Sequence, residues 1–206
     1  MSANLIAFLY LISGIFFILA LRGLSNPESA RKGNYYGITG MIIAAVTTLF
    51  ISPPNQNLDI ILLVVGIGIG GSIGLIIAKK IPMTAMPQLV AAFHSLVGLA
   101  AVLVASAALY VPSSMGIGTV GDIYLASLIE MGLGVIIGAI TFSGSIIAFL
   151  KLQGLMSGSP ITFPKQHLIN LLLAILILIL LVIFAITQSY TIFWIIVLLS
   201  FTIGFL

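Results

Sequence analysis

Seven long apolar runs, parted by short polar breaks, account for almost all of this 206-residue chain. They cover about 3–21, 35–51, 59–78, 85–110, 122–150, 168–187 and 190–206. A helix needs roughly 20 apolar residues to cross the hydrocarbon core of a bilayer. The runs are too long for strands and do not alternate, which argues against a transmembrane barrel. The breaks carry turn chemistry: Arg22 to Gly33 with Asn26-Pro27, Ser52-Pro53-Pro54-Asn55, Lys79-Lys80-Ile81-Pro82, Pro112 to Gly121, and Gly154 to Pro164. The sixth, near Gln188-Ser189, is the weakest. The expected fold is an all-α, polytopic transmembrane bundle of about seven helices, one membrane domain over 1–206.

Charge supports this and orients it. Only 5% of residues are charged, against about 25% in a soluble domain. So few charges cannot clothe a water-facing surface, so lipid is the expected partner for most of the exterior. The net charge of +3 does not imply a nucleic-acid partner, because the basic residues form no continuous stripe. Arg22, Arg31 and Lys32 lie in the first break, Lys79 and Lys80 in the third, and Lys151 and Lys165 in the fifth. The even breaks hold none. The positive-inside rule makes the odd loops cytoplasmic, the N-terminus outside and, after seven spans, the C-terminus inside. The first span follows Met1 without a basic leader or cleavage site, and reads as an uncleaved anchor. With no Arg-rich presequence either, a bacterial plasma membrane is the expected location. Cysteine is absent, and two histidines in separate spans make no metal site.

Gly66-Ile67-Gly68-Ile69-Gly70-Gly71 matches the G-x-G-x-x-G pattern of dinucleotide-binding loops. Such a loop follows a strand and opens a helix, whereas these glycines lie inside an apolar run. Gly66, Gly70 and Gly74 recur every four residues, the spacing at which small residues let membrane helices approach closely. Helix packing is the preferred reading. Gly134 and Gly138 suggest a second such face.

His94 is the foremost candidate for chemistry. It lies ten residues beyond Thr84, about 15 Å along a helix and near the bilayer midplane. Ionisable groups at that depth are costly and mark transport paths by default. Imidazole suits proton transfer because its unperturbed pKa is about 6.5. The alternative is a neutral histidine hydrogen-bonded to a neighbouring helix. Glu130 lies eight residues beyond Asp122, about 12 Å from the other face. It is placed either on the same proton path, at a depth similar to His94, or in an outer vestibule. Asp59 and Asp122 read as solvated helix-start residues, and His167 as interfacial beside Lys165. Asn170 and Ser95 offer polar support. Ser143 and Ser145 lie low on the fifth span, and Met83 and Met86 read as packing residues.

Several stretches together resemble one known family. They are Leu24-Ser25-Asn26-Pro27-Glu28-Ser29-Ala30-Arg31-Lys32-Gly33-Asn34, Ile69 to Gly74, Met83 to Ala101 around His94, Gly138 to Ser145, and Lys151-Leu152-Gln153-Gly154. They look like the β subunit of the proton-translocating nicotinamide nucleotide transhydrogenase, along the whole chain. That family couples hydride transfer from NADH to NADP⁺ with inward proton movement. The resemblance implies that His94 is the membrane histidine of the proton path and that Ser145 is the family's serine near the cytoplasmic side. It implies as partners the α subunit, further β-subunit helices carrying an Asn and an Asp, and a soluble NADP(H)-binding domain, in a dimer of the complete enzyme. The cofactors NADP(H) and NAD(H) would be bound outside this chain. The family often has acidic residues between Met83 and Gln88; here Pro82, Ala85 and Gln88 imply a less acidic inner approach. The alternative is a small secondary transporter or proton channel with no redox partner, although no internal repeat is evident.

Overall fold

The computed structural model describes residues 2–26, 28–54, 56–160 and 162–206, with every side chain among these except those of Ala3 and Met83. Pro27 and Asn55 of the first two breaks, and the packing role expected of Met83, lie outside the described residues. Among the described residues there are seven α-helices: α1 (Ala3–Leu24), α2 (Ala30–Ile51), α3 (Asn57–Lys80), α4 (Met86–Tyr110), α5 (Leu125–Leu152), α6 (Gln166–Thr187) and α7 (Tyr190–Phe205). The first six are long and apolar enough to cross a membrane. Helix α7 is apolar and runs 16 residues, almost to the end of the described residues. Large apolar side chains such as Leu21, Leu155 and Ile186 stand more than 70% exposed, as a lipid-facing surface requires.

The helices match the expected spans to within a few residues, with two informative differences. Helix α2 begins at Ala30, so Arg31 and Lys32 ride on its first turn. Helix α5 begins at Leu125, because the chain before it forms a small hairpin of β1 (Gly118–Thr119) and β2 (Asp122–Ile123). Asp122 is therefore a strand residue and not a helix start. Asp59 does sit in the first turn of α3, and its Oδ2 accepts from the backbone N–H of Gln56 at 3.3 Å. Its carboxylate complements the positive end of that helix.

The chain forms two compact units, residues 1–76 and 77–206. In the first, α1 and α2 make a tight helical hairpin. Ser13 Oγ donates to the carbonyl of Gly40 at 2.7 Å, and the Tyr10 and Thr48 hydroxyls lie 2.9 Å apart. At the turn end, a Cβ added to Gly33 would meet the backbone N of Leu24 at 2.7 Å. The absent side chains let the two backbones touch, which is how membrane helices associate without a hydrophobic driving force.

Helix α3 behaves differently from expectation. None of its residues is buried, and a Cβ on Gly66, Gly68, Gly70, Gly71 or Gly74 would meet nothing within 4 Å. The G-x-G-x-x-G run lies mid-helix with no strand before it, which removes the dinucleotide-loop reading. Within this chain the close approaches fall to other glycines.

The second unit packs α4 to α7 around a core of Val102, Leu109, Leu128, Val135 and Ala139 with Phe184, Phe193 and Ile196. Gln188 ends α6 in the left-handed region, at φ 53°. Its side chain accepts from the N–H of Ile123 at 3.2 Å and donates to the carbonyl of Ile123 at 3.5 Å. The break between α6 and α7 is thereby tied to the β hairpin. Nearby, Tyr110 and Tyr190 stack at 5.0 Å, and Trp194 Nε1 donates to the Tyr110 hydroxyl at 3.2 Å.

Candidate functional site

His94 sits eight residues into α4, about 12 Å along its axis. Its Nδ1 lies 3.5 Å from Oγ of Ser145 on α5, which places the two sequence-selected groups on facing helices. The approach is possible because the two backbones nearly touch one turn further along. A Cβ on Gly98 would stand 2.6 Å from both the carbonyl oxygen of Gly138 and the amide N of Phe142. A Cβ on Gly138 would stand 2.8 Å from the carbonyl oxygen of Gly98. Gly138 thus lies in close backbone contact with α4. Gly134, one turn away, faces open space. Gly98 was not singled out from the sequence; its place one helical turn beyond His94 was the available signal.

The His94 ring is exposed on the surface of this unit, as Glu130 is, while Ser145 is half-buried. The expected common depth of His94 and Glu130 does not hold. The contacts His94–Ser145 and Gly98–Gly138 set an antiparallel register. That register carries Glu130 to the level of Ala108, with which it lines a groove of about 540 Å³ together with Val104, Ser127, Met131 and Gly134. Ala108 is fourteen residues beyond His94, about 21 Å along α4. Counting inward from the two ends misleads here because both helices outrun the bilayer core, so equal counts leave the residues apart. Of the chain's four acidic residues, those in this unit are Asp122 and Glu130, both towards the end away from His94.

The other polar candidates are held locally. Ser95 is buried and donates to the carbonyl of Ala92 at 2.7 Å, so its hydroxyl is taken up by its own helix. Ser143 is fully buried and donates to the carbonyl of Ala139 at 2.9 Å, as such serines do. Asn170, in the first turns of α6, keeps a buried Oδ1 without a partner among the described residues. Gln88 emerges as a further member of the α4–α5 pair. Its Nε2 donates to the carbonyl of Leu152 at 3.2 Å and joins the start of α4 to the end of α5.

Long apolar helices, glycine-mediated contacts and an imidazole–hydroxyl pair within two of the spans define a multi-pass helical membrane protein with an ionisable site in its membrane domain. Residues 6–206 match the family described as NAD(P) transhydrogenase beta subunit. Over its full 206 residues the chain is 58% identical to the NAD(P) transhydrogenase subunit beta of Rhodospirillum rubrum, and equally so to the protein of that name from a designated strain of the same species. The chain belongs to this family. It spans 44% of the length of each of these relatives.

Proposed function

We propose that the chain is the membrane part of a transhydrogenase β subunit and conducts protons inward through His94, assisted by Ser145. In the complete enzyme this movement is coupled to hydride transfer from NADH to NADP⁺. The observation that carries the reading is the approach of the His94 ring to the Ser145 hydroxyl across the α4–α5 interface. A serine hydroxyl can both donate and accept a hydrogen bond, so Ser145 can face an imidazole nitrogen whether or not that nitrogen carries a proton.

The exposed face that carries His94 is, in this reading, covered by the remaining helices of the β subunit and by the α subunit. NADP(H) and NAD(H) bind outside these residues. Glu130, about 21 Å further along the pair, serves as an outer entry group rather than a direct partner of His94. The odd loops lie on the cytoplasmic side of a bacterial plasma membrane, where the NADP(H)-binding domain docks and biases the access of His94 to one side or the other. Such coupling between a nucleotide site and a membrane site is a free-energy linkage, and it is reciprocal for binding.

The test is His94→Ala in the complete enzyme, reconstituted into liposomes. Loss of coupled proton uptake with retained NADP(H) binding supports the reading. Full coupled turnover in that variant removes it.

A further inference from the structure

We infer that Gly204, on α7, is a positioning residue for the His94–Ser145 pair, acting through helix α5. The inference rests on the proton-relay reading of that pair. Helix α5 is held on two sides at the level of Ser145. On the α4 side, Gly98 brings backbone against the backbone of Gly138 and Phe142. On the α7 side, Gly204 lies against Ile140, Ser143 and Gly144. A Cβ on Gly204 would overlap Oγ of Ser143 and would stand 2.7 Å from the carbonyl oxygen of Ile140 and 3.1 Å from the N of Gly144.

Ser143 and Ser145 point to different sides of α5, because two residues turn a helix by about 200°. One hydroxyl therefore faces the α7 contact and the other faces His94. Beside them, the Phe142 and Phe201 rings meet edge to face at 5.4 Å. Ser143 and Ser200 are wholly buried on these two helices.

The consequence is a lack of slack. Ordinary contact begins near 3.4 Å, so a methyl at 204 must open the Ile140 approach by about 0.7 Å. Helix α5 cannot yield towards α4 without compressing Gly98. The displacement is taken up as a shift or rotation of α5, which carries Ser145. At 3.5 Å the Ser145–His94 contact is already at the limit of a hydrogen bond. A shift of a few tenths of an ångström makes or breaks it. Gly204 touches neither residue, yet it sets their separation.

The experiment uses the complete enzyme with ¹⁵N-labelled histidine, and the His94 ring signals are assigned as those lost in His94→Gln. Gly204→Ala is expected to move the His94 ring ¹⁵N resonances and to lower coupled turnover at least fivefold. Ser143→Ala added to Gly204→Ala removes the hydroxyl that the new methyl meets but leaves its approach to the Ile140 carbonyl, and is expected to return the resonances and the turnover only part of the way. Ser143→Cys enlarges the same contact more gently, covers the case in which Gly204→Ala fails to assemble, and is expected to move the resonances less but in the same sense. Unchanged His94 resonances in an assembled Gly204→Ala, or in Ser143→Cys, overturn the inference. His94→Ala separates the two ideas. Surviving coupled turnover there removes the relay, while the ring signals of Gly204→Ala and Ser143→Cys, which keep His94, still decide the positioning role.

Discussion

Nδ1 of His94 and Oγ of Ser145 stand 3.5 Å apart across the α4–α5 interface, at the outer edge of hydrogen-bond reach. A contact of that length contributes little net energy as it stands, about 0.5–1.5 kcal/mol even when well formed. The two residues should therefore be unequal in mutagenesis. Ser145→Ala is expected to lower coupled turnover by about three- to tenfold, the rate equivalent of one such bond. His94→Ala is expected to abolish it. Initial rates of proton uptake in liposomes measure both, and equal losses would show Ser145 to be more than an assisting hydroxyl.

The α4–α5 contact that supports this pair is made by backbone, so it should be intolerant of a single methyl. Gly98→Ala places a carbon 2.6 Å from the backbone of Gly138 and Phe142, where no rotamer change relieves it. Overpacking of this kind costs about 1–3 kcal/mol. Gly134→Ala, on the same helix pair but facing open space, should leave stability unchanged or raise it, by up to about 1 kcal/mol, since Ala is favoured over Gly in a helix. Thermal unfolding of the two variants in detergent makes the comparison.

These two glycines also show where the sequence was legible and where it was not. The apolar runs, their lengths and the turn residues between them report directly on helices, because lipid forces every backbone polar group to be satisfied within a segment. His94 and Ser145 were legible as ionisable and polar residues in otherwise apolar spans. Which glycines touch was not. The regular repeat Gly66, Gly70, Gly74 faces open space, while Gly138 makes a close approach and its partner in spacing, Gly134, does not, and Gly98 and Gly204, in no such repeat, make close approaches. Spacing shows that a face is smooth and says nothing of what lies against it. The depth of Glu130 was misjudged for a related reason: a register between helices is a property of the pair, and neither helix encodes it alone. The hairpin before α5 was hidden because its strands are two residues long, too short for any periodic signal.

Helix α3 gives the converse expectation. With its glycines in open space, Gly70→Ala should leave the thermal stability of the purified chain unchanged or slightly raised, since Ala is favoured over Gly in a helix by about 0.8–1.0 kcal/mol. A clear fall in unfolding temperature would show that this face is packed within the chain after all.

Gln188 combines two opposed effects that substitution can separate. Its amide holds both backbone groups of Ile123, and its own backbone sits at φ 53°, where an L side chain costs roughly 1–2 kcal/mol. Gln188→Ala loses the bonds and keeps the strain. Gln188→Gly loses the same bonds and relieves the strain. The glycine variant should be the more stable of the two by about 1 kcal/mol, with both below the parent, read as unfolding midpoints in detergent.

The proposed orientation yields a test that the composition makes clean. The chain has no cysteine, so a single introduced thiol is the sole labelling site within it. Ser159, whose carbonyl accepts from Lys151 Nζ at 3.0 Å, lies exposed in the loop between α5 and α6. Ser114 lies exposed in the turn between α4 and β1. All seven basic side chains sit at or near the ends of helices that meet odd-numbered connections, and translocation of such charges is disfavoured. Ser159→Cys in intact cells should therefore resist a membrane-impermeant maleimide and react once the membrane is opened, whereas Ser114→Cys should react in both. The reverse pattern would invert the bundle and put the Ser145 end of the proton path on the outside. Equal reactivity at both sites in intact cells would mean that an odd number of crossings does not separate them, and the span assignment of α5 would have to be abandoned.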